Sequence, residues 1–415
     1  MKATFFSILI GAGLLASSLL ADDWPQWRGP QRNGISKEKG LLKEWPKEGP
    51  KLLWQRKDLG SGYSTPSVVG DRLYVISNNG MENESVQALS VKDGKEIWSV
   101  RIGKVGPNEG PQYPGARSTP TVDGQSMYAL GSDGDLACLD TAGKIRWQKN
   151  LRSDFGGKPG KWAYAESPLV DGDALVVTPG GSTATLVALN KKSGEVIWKA
   201  TVPNGDPAAY SSVVITDAGG VKQYVQFVDK GAVGVEAKTG KFLWRYDKTA
   251  ENSPANIPTP VVDKDYVYTS TGRGGGGLIK LKADGGAFQV EQVYFNPKLP
   301  TQIGGALKLG EQLYGTTGQG LLCADFLTGN VKWQERAVGA GSVCFADGSL
   351  YVHGENGDVA LVEASPDSYR EKGRFTPPEP PDRGRSKAWT YPVVANGRLY
   401  IRDFGSLWCY DMKAQ

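Results

Sequence analysis

The chain has 415 residues, with 48 Lys and Arg against 44 Asp and Glu, a formal net charge of +4, and its charges are scattered rather than gathered in a basic run. That balance excludes nucleic acid as the expected partner. A single histidine, His353, excludes multi-histidine metal sites and leaves no obvious general base.

The chain opens with Lys2, an apolar stretch from Phe5 to Leu20, and Ala21 before Asp22-Asp23. This pattern predicts a secretory signal peptide over residues 1–21, too short for a comfortable membrane span, and therefore a periplasmic or secreted protein with no membrane span after cleavage. No cysteine lies near the cleavage point, so a lipid anchor is not expected. Residues 22–50 form an N-terminal extension that opens with Trp24-Pro25-Gln26-Trp27-Arg28-Gly29-Pro30.

From there a tryptophan returns at near-constant spacing: Trp54, Trp98, Trp147, Trp198, Trp244 and, after a double gap, Trp333. A period of this size signals a propeller or solenoid. Each copy ends in a small residue, an acid or amide two on, a glycine and the tryptophan, as in Ala188, Asn190, Gly194, Trp198. Upstream lie short alternating runs rich in Val, Tyr and Leu, such as Thr65-Pro66 followed by Leu73-Tyr74-Val75, broken by Gly, Asp and Asn. These are strand and hairpin signals, four runs per repeat, and no sustained helical period competes with them. A four-stranded blade cannot cover both faces alone, whereas a ring of blades buries them against neighbours.

Seven repeats end near Trp98, Trp147, Trp198, Trp244, Tyr294, Trp333 and Phe375, the fifth and seventh degenerate. An eighth, from Tyr391 to Asp411, lacks its last strand, and Lys51 to Arg56 supply it from the other terminus. The expectation is one all-β domain over residues 51–413, an eight-bladed β-propeller of four-stranded antiparallel blades closed by an N-terminal strand. Cys138, Cys323 and Cys409 occupy small buried motif positions and read as packed hydrophobes, with a Cys323–Cys344 bridge as the minority alternative. Gly274 to Gly277 after Arg273 read as a hairpin rather than a phosphate cradle, because no helix follows. Residues 376–387, rich in Pro and Arg, read as an exposed connection.

The Ala-x-Asp-x-x-x-Gly-x-x-x-Trp repeats resemble the tryptophan-docking motif of the PQQ-like propeller family, over nearly all of residues 50–413. That family includes dehydrogenases dependent on pyrroloquinoline quinone (PQQ) and non-enzymatic relatives such as the outer-membrane assembly lipoprotein BamB. The resemblance implies a ligand site at one mouth of the channel, built from residues just before each innermost strand. It points to Arg117, Glu166 and Asn256 at positions comparable to the family's cofactor and calcium contacts. Glu166 and Asn256 would be the metal ligands, since calcium takes oxygen donors, and Arg117 would pair with PQQ carboxylates. Trp162 and Trp389, with Tyr164, are loop aromatics able to stack on a flat ring or sugar, or to bury a neighbouring loop.

The family's catalytic aspartate should fall near the start of blade six, where this chain has Gln302-Ile303-Gly304-Gly305, so no catalytic residue is assigned. Arg117 and Glu166 have a second reading as a structural ion pair between blades two and three. The expected function is an exported, monomeric binding or scaffold module of the cell envelope, taking a small-molecule ligand or an envelope protein at the channel mouth. The alternative is a PQQ- and calcium-dependent oxidoreductase acting on an alcohol or sugar.

Overall fold

The fold follows from what each repeat cannot do alone: bury both faces of a short four-stranded sheet. In the computed structural model, which describes residues 23–107, 113, 115–203, 205–299 and 303–414, eight four-stranded antiparallel sheets form the blades of a propeller. The expected signal peptide and Gln302 lie outside the described residues. Blade one runs Ser67–Val69, Arg72–Asn79, Asn83–Ser90 and Glu96–Gly103, and the next six blades repeat that order. The third strands are mostly buried between blades, as in Leu186–Asn190, whereas outer strands such as Val196–Ala200 are mostly exposed.

Blade eight takes Val393–Ala395, Arg398–Asp403 and Ser406–Asp411 from the C-terminal end and Leu52–Arg56 from the N-terminal end. The closing strand is antiparallel to Ser406–Asp411, with Trp54 opposite Cys409. Both ends of the chain are thus held in one sheet.

The repeated tryptophan joins each blade to the next. The Trp98 indole N–H donates to Thr141 O at 3.1 Å, Trp147 to Lys191 O at 3.1 Å and Trp198 to Ala237 O at 3.1 Å. In blade five Tyr294 takes over, its hydroxyl donating to Phe326 O at 3.0 Å. Trp54 donates to Val91 O at 2.9 Å, the same contact made from blade eight to blade one. Under the rings of Trp54, Trp98, Trp147, Trp198 and Tyr294 sits the motif glycine of the next blade. A Cβ on Gly94 would lie 2.6 Å from Trp54, and Gly94 has φ +71°.

Trp244 departs from the rule. Its N–H donates to Gln223 Oε1 at 2.7 Å within its own blade, and the ring lies over Gly234. The neighbouring blade five carries the ten-residue strands Gly275–Asp284 and Ala287–Asn296, whose long hairpin leans back on blade four and sets Ala283 and Phe288 against Gly219. The glycine socket is therefore absent there. At blade seven Phe375 packs edge-on to Trp45 and Tyr410 and covers Gly49, so the N-terminal extension supplies the missing socket.

Near the channel, hydroxyls stitch successive blades: Thr119 N–H donates to Ser167 Oγ at 2.9 Å and Ser167 N–H to Ser212 Oγ at 3.0 Å. Tyr391 N–H donates to Thr65 Oγ1 at 3.0 Å across the closure.

The N-terminal extension does not trail over the surface. Trp24 bridges Val68 in blade one, Pro25 O accepts from Val122 N in blade two, and Arg32 donates to Ser167 O and Pro168 O in blade three. Trp27 Nε1 donates to Thr259 Oγ1 entering blade five, and Arg28 Nη2 to Ala306 O in blade six. Ile35 bridges Phe345 in blade seven, and the Trp27 ring stands edge-on to Tyr391 entering blade eight at 4.6 Å. A segment that touches the inner strands of seven blades must lie across the channel that those strands enclose. Its partners Val68, Val122 and Phe345 lie toward the far ends of the innermost strands, so residues 24–36 close the channel from below.

All four cysteines are buried and free, so Cys323 and Cys344 are not bridged. Among the described residues no helix is long and apolar enough to cross a membrane.

The closure yields a matched pair of variants. Gly94→Ala and Gly70→Ala both force alanine into left-handed backbone, but Gly70 has open space around its missing Cβ. Urea unfolding should find Gly94→Ala less stable than Gly70→Ala by about 1–3 kcal/mol, because only the first displaces Trp54. Equal losses would mean that the Trp54 contact contributes nothing to holding the ring.

Candidate functional site

Residues that enter the innermost strands converge on the upper mouth and enclose a cavity of 560 Å³. Its wall is aromatic: Tyr63, Tyr113, Trp162, Tyr210, Trp389 and Tyr391, with Trp27 of the N-terminal segment also lining it. Its charged groups among the described residues are Arg117, Arg273, Lys387 and one acid, Glu355.

The wall is built by mutual packing. Trp389 lies 5.1 Å from Tyr63 and 4.8 Å from Tyr113, centroid to centroid, and its N–H donates to Glu355 Oε1 at 3.2 Å. Glu355 Oε2 pairs with Lys387 at 3.3 Å. Arg117 lies over the Tyr63 ring at 5.8 Å and donates to Gly115 O at 3.0 Å and to Tyr113 O. Trp162 N–H donates to the Tyr210 hydroxyl at 3.1 Å, and the two rings lie 5.8 Å apart.

Of the residues named from sequence, Arg117, Trp162 and Trp389 come together on this wall, whereas Glu166 and Asn256 are 2 % exposed and do not line it. Asn256 Nδ2 donates to Val228 O and Asp229 O, both at 2.8 Å, tying the entry of blade five to the blade-four hairpin. Glu166 Oε2 accepts from Gln226 Nε2 at 3.2 Å. Burial pushes the Glu166 carboxyl up to about 8, against the pull of Thr178 and Arg32.

Arg117 and Glu166 do not form an ion pair; each has another partner in charge. The cation beside Glu166 is Arg32, whose own pKa burial lowers to about 10. The carboxylate whose charge acts on Arg117 is Glu84, which accepts from Ser132 N and, at 2.9 Å, from Ser132 Oγ. Burial raises Glu84 to about 7. Sequence reasoning passed over Glu84, which sits in a strand among exposed neighbours, and no local signal marks it as the buried member. Tyr164 is also structural, its hydroxyl donating to Pro179 O at 2.9 Å beneath Gly134.

These neighbours bear on the calcium and PQQ implied by the resemblance. Calcium takes six to eight oxygens. Around Glu166 stand the Thr178 hydroxyl, the Gln226 amide that donates to it and the Arg32 guanidinium, a cation where calcium would need further oxygens, and Asn256 offers a single amide oxygen. Among the described residues no group of three or more His, Cys, Asp or Glu could hold a metal ion. The donor set does not fit calcium. His353 offers no base either: it is buried, Nδ1 lies 2.9 Å from Thr390 O, and burial lowers its pKa. The glycine run serves packing, since a Cβ on Gly274 would lie 2.1 Å from Thr249 O. The proline-rich connection is not wholly exposed, because Trp408 donates to Pro378 O, Arg383 pairs with Asp403, and Lys387 reaches the cavity.

A family model described as "Outer membrane protein assembly factor BamB" matches residues 35–164 and 161–369. The chain belongs to this PQQ-like β-propeller family. The BamB of Moranella endobia is 25% identical over 225 residues, 51% of this chain and 49% of that protein, so the match spans about half of that relative's length. The crystal structure of BamB from Moraxella catarrhalis superposes with a TM-score of 0.59 at 15% identity, over 88% of this chain and 100% of that one. Quinohemoprotein alcohol dehydrogenase from Comamonas testosteroni superposes with a TM-score of 0.52 at 13% identity, over 95% and 81%. An assembly factor and an oxidoreductase share the fold, so the fold does not choose between them.

The buried carboxyls make stability depend on pH. Glu166 and Glu84 hold their protons above the ordinary 4.5. At these two groups the folded protein therefore binds more protons than the unfolded chain between about pH 4.5 and 8, and their contribution to stability falls as pH rises. Glu166→Gln should flatten that decline, gaining on the order of a few kcal/mol at pH 8.5 relative to pH 5. Parallel urea midpoints for variant and parent at both pH values would contradict the assignment.

Proposed function

We propose that this protein is exported to the periplasm or beyond and works there as a binding and scaffold propeller of the cell envelope, engaging its partner or ligand at the upper channel mouth. The observation that carries this reading is the preorganised aromatic and cationic cavity, in a family described by an outer-membrane assembly factor. Arg117, Trp162 and Trp389 are the proposed contact residues. Glu166 and Asn256 act behind the wall, fixing the entries of blades three and five. Export fits the N-terminal pattern of residues 1–21.

The oxidoreductase alternative needs a base beside a metal-bound quinone. Among the described residues the one carboxylate on the cavity, Glu355, is engaged by Lys387 and by the Trp389 indole N–H. The binding reading therefore has the stronger support.

The test places a photo-crosslinking amino acid at Trp162, at Trp389 and, as control, at the exposed outer-strand residue Ile197, in the full chain expressed in its own envelope. The expected result is one discrete adduct from both mouth positions, absent from Ile197 and lost on Arg117→Glu. Adducts of equal yield at all three positions, or none at the mouth, would contradict the proposal. Thermal shift with PQQ and calcium discriminates the alternative: stabilisation requiring both, approaching about 2.7 kcal/mol at a hundred times the dissociation constant, would favour the oxidoreductase.

A further inference from the structure

The cavity is lined above by loops of the ring, but Trp27 belongs to a segment that enters from the opposite end. Residues 24–36 cross the lower channel, leaving a second cavity of 470 Å³ between them and blades three to six, and are anchored there by buried arginines. Arg28 donates to Asn33 O at 3.2 Å and to Ala306 O at 2.5 Å, and Arg32 to Pro168 O at 3.1 Å and Ser167 O at 2.8 Å. These guanidiniums satisfy carbonyls that strand ladders leave free at the channel, which fixes the segment against the ring. Trp27 is therefore held in place where it lines the cavity from the side opposite the mouth loops.

Trp27 is positioned rather than merely packed. Its indole N–H is used by Thr259 Oγ1 at 2.9 Å, and its ring meets Tyr391 edge-on at 4.6 Å. Arg28 lies 5.9 Å above the other ring, that of Tyr391. With the N–H and one edge occupied, what Trp27 still offers the cavity is apolar ring surface. At the entrance, Arg273 is exposed and makes no hydrogen bond or ion pair among the described residues. Among the described residues three cations face one acid around the cavity, and that acid is paired with Lys387, so this part of the rim favours negative charge. A volume of 560 Å³ suits one compact molecule.

We infer that the N-terminal segment is part of the binding site: Trp27 is the floor on which the apolar body of a small monoanionic ligand rests, with Arg273 drawing its charged end at the entrance. This rests on the mouth being the binding surface and adds to it the depth, the floor and the ligand class. A carboxylate or sulfonate on an aromatic or branched apolar body has the required chemistry.

The probe is 8-anilinonaphthalene-1-sulfonate, compared with its neutral counterpart N-phenyl-1-naphthylamine, titrated by fluorescence into the mature protein. The wild type should show one saturable site for both dyes. Trp27→Ala should weaken both by about tenfold or more, since a central aromatic anchor is lost. Trp27→Phe, which keeps a ring and guards against loss of folding, should stay within about threefold of wild type. Arg273→Gln should weaken only the anionic dye, by about three- to tenfold, and reduce its salt dependence. Unchanged binding of both dyes to folded Trp27→Ala would overturn the floor, and equal loss of both dyes in Arg273→Gln would overturn the charge assignment. Trp162→Ala and Trp389→Ala separate the two levels. If they weaken binding while Trp27→Ala does not, the mouth stands and the floor falls. If none of the three matters, the mouth reading falls as well.

Discussion

The interaction on which everything else depends is an aromatic ring laid on the bare backbone of the next blade's motif glycine. Each blade is a small sheet with two apolar faces, and only a neighbour on either side can bury them. The ring must therefore close, and the closing contact is Trp54 on Gly94 with its N–H on Val91 O. Because Trp54 lies in the N-terminal strand of a blade otherwise built from the C-terminal end, closure couples the two halves of the chain. The inner ring of hydroxyl contacts, Thr119 to Ser167 to Ser212 and Tyr391 to Thr65, then fixes the residues that enter the innermost strands. Those entries form the cavity wall, so the geometry of the site is inherited from the closure.

Once closed, an eight-bladed ring has a channel that its own side chains do not fill. Here the preceding stretch of chain crosses it from below. The stretch 24–56 thus does three things: it crosses the lower channel with residues 24–36, supplies the Gly49 socket for Phe375, and closes the ring with Leu52–Arg56. Buried Arg28 and Arg32 are tolerated because they donate to backbone carbonyls and, for Arg32, because the Glu166 carboxyl lies near. Charge in the core of this propeller is spent on fixing the plug and the blade entries rather than on holding a cation.

The ring was legible in the sequence because its cause is periodic. Trp98, Trp147, Trp198 and Trp333 return with their glycines, and the unpaired last blade announced its N-terminal partner. Two exceptions were not legible. Trp244 keeps the motif but loses its socket to the blade-five hairpin, whose reach depends on packing against Gly219. The plug has no period, since its partners are carbonyls and hydroxyls in seven different blades. Its Trp-Pro-Gln-Trp-Arg-Gly-Pro run shows in sequence only as an extension. In the site, spacing located the blade entries, which brought Arg117, Trp162 and Trp389 to the cavity. It could not tell a side chain aimed into the channel from one aimed between blades, and Glu166 and Asn256 turned between blades. Glu84 rather than Glu166 acts on Arg117, a relation set by which faces of blades one and two meet.

The central claim is that the N-terminal segment is built into the ring rather than laid beside it. Hydrogen–deuterium exchange on the mature protein tests this directly, at the amides of Trp24, Gly34 and Ser36, which donate to Val68 O, Arg28 O and Phe345 O. The account requires protection of these amides approaching that of the inner strands Arg72–Asn79 and Ser349–Gly354, released only with global unfolding. Exchange of residues 24–36 within seconds, while the blades stay protected, would contradict it and leave the cavity without its floor.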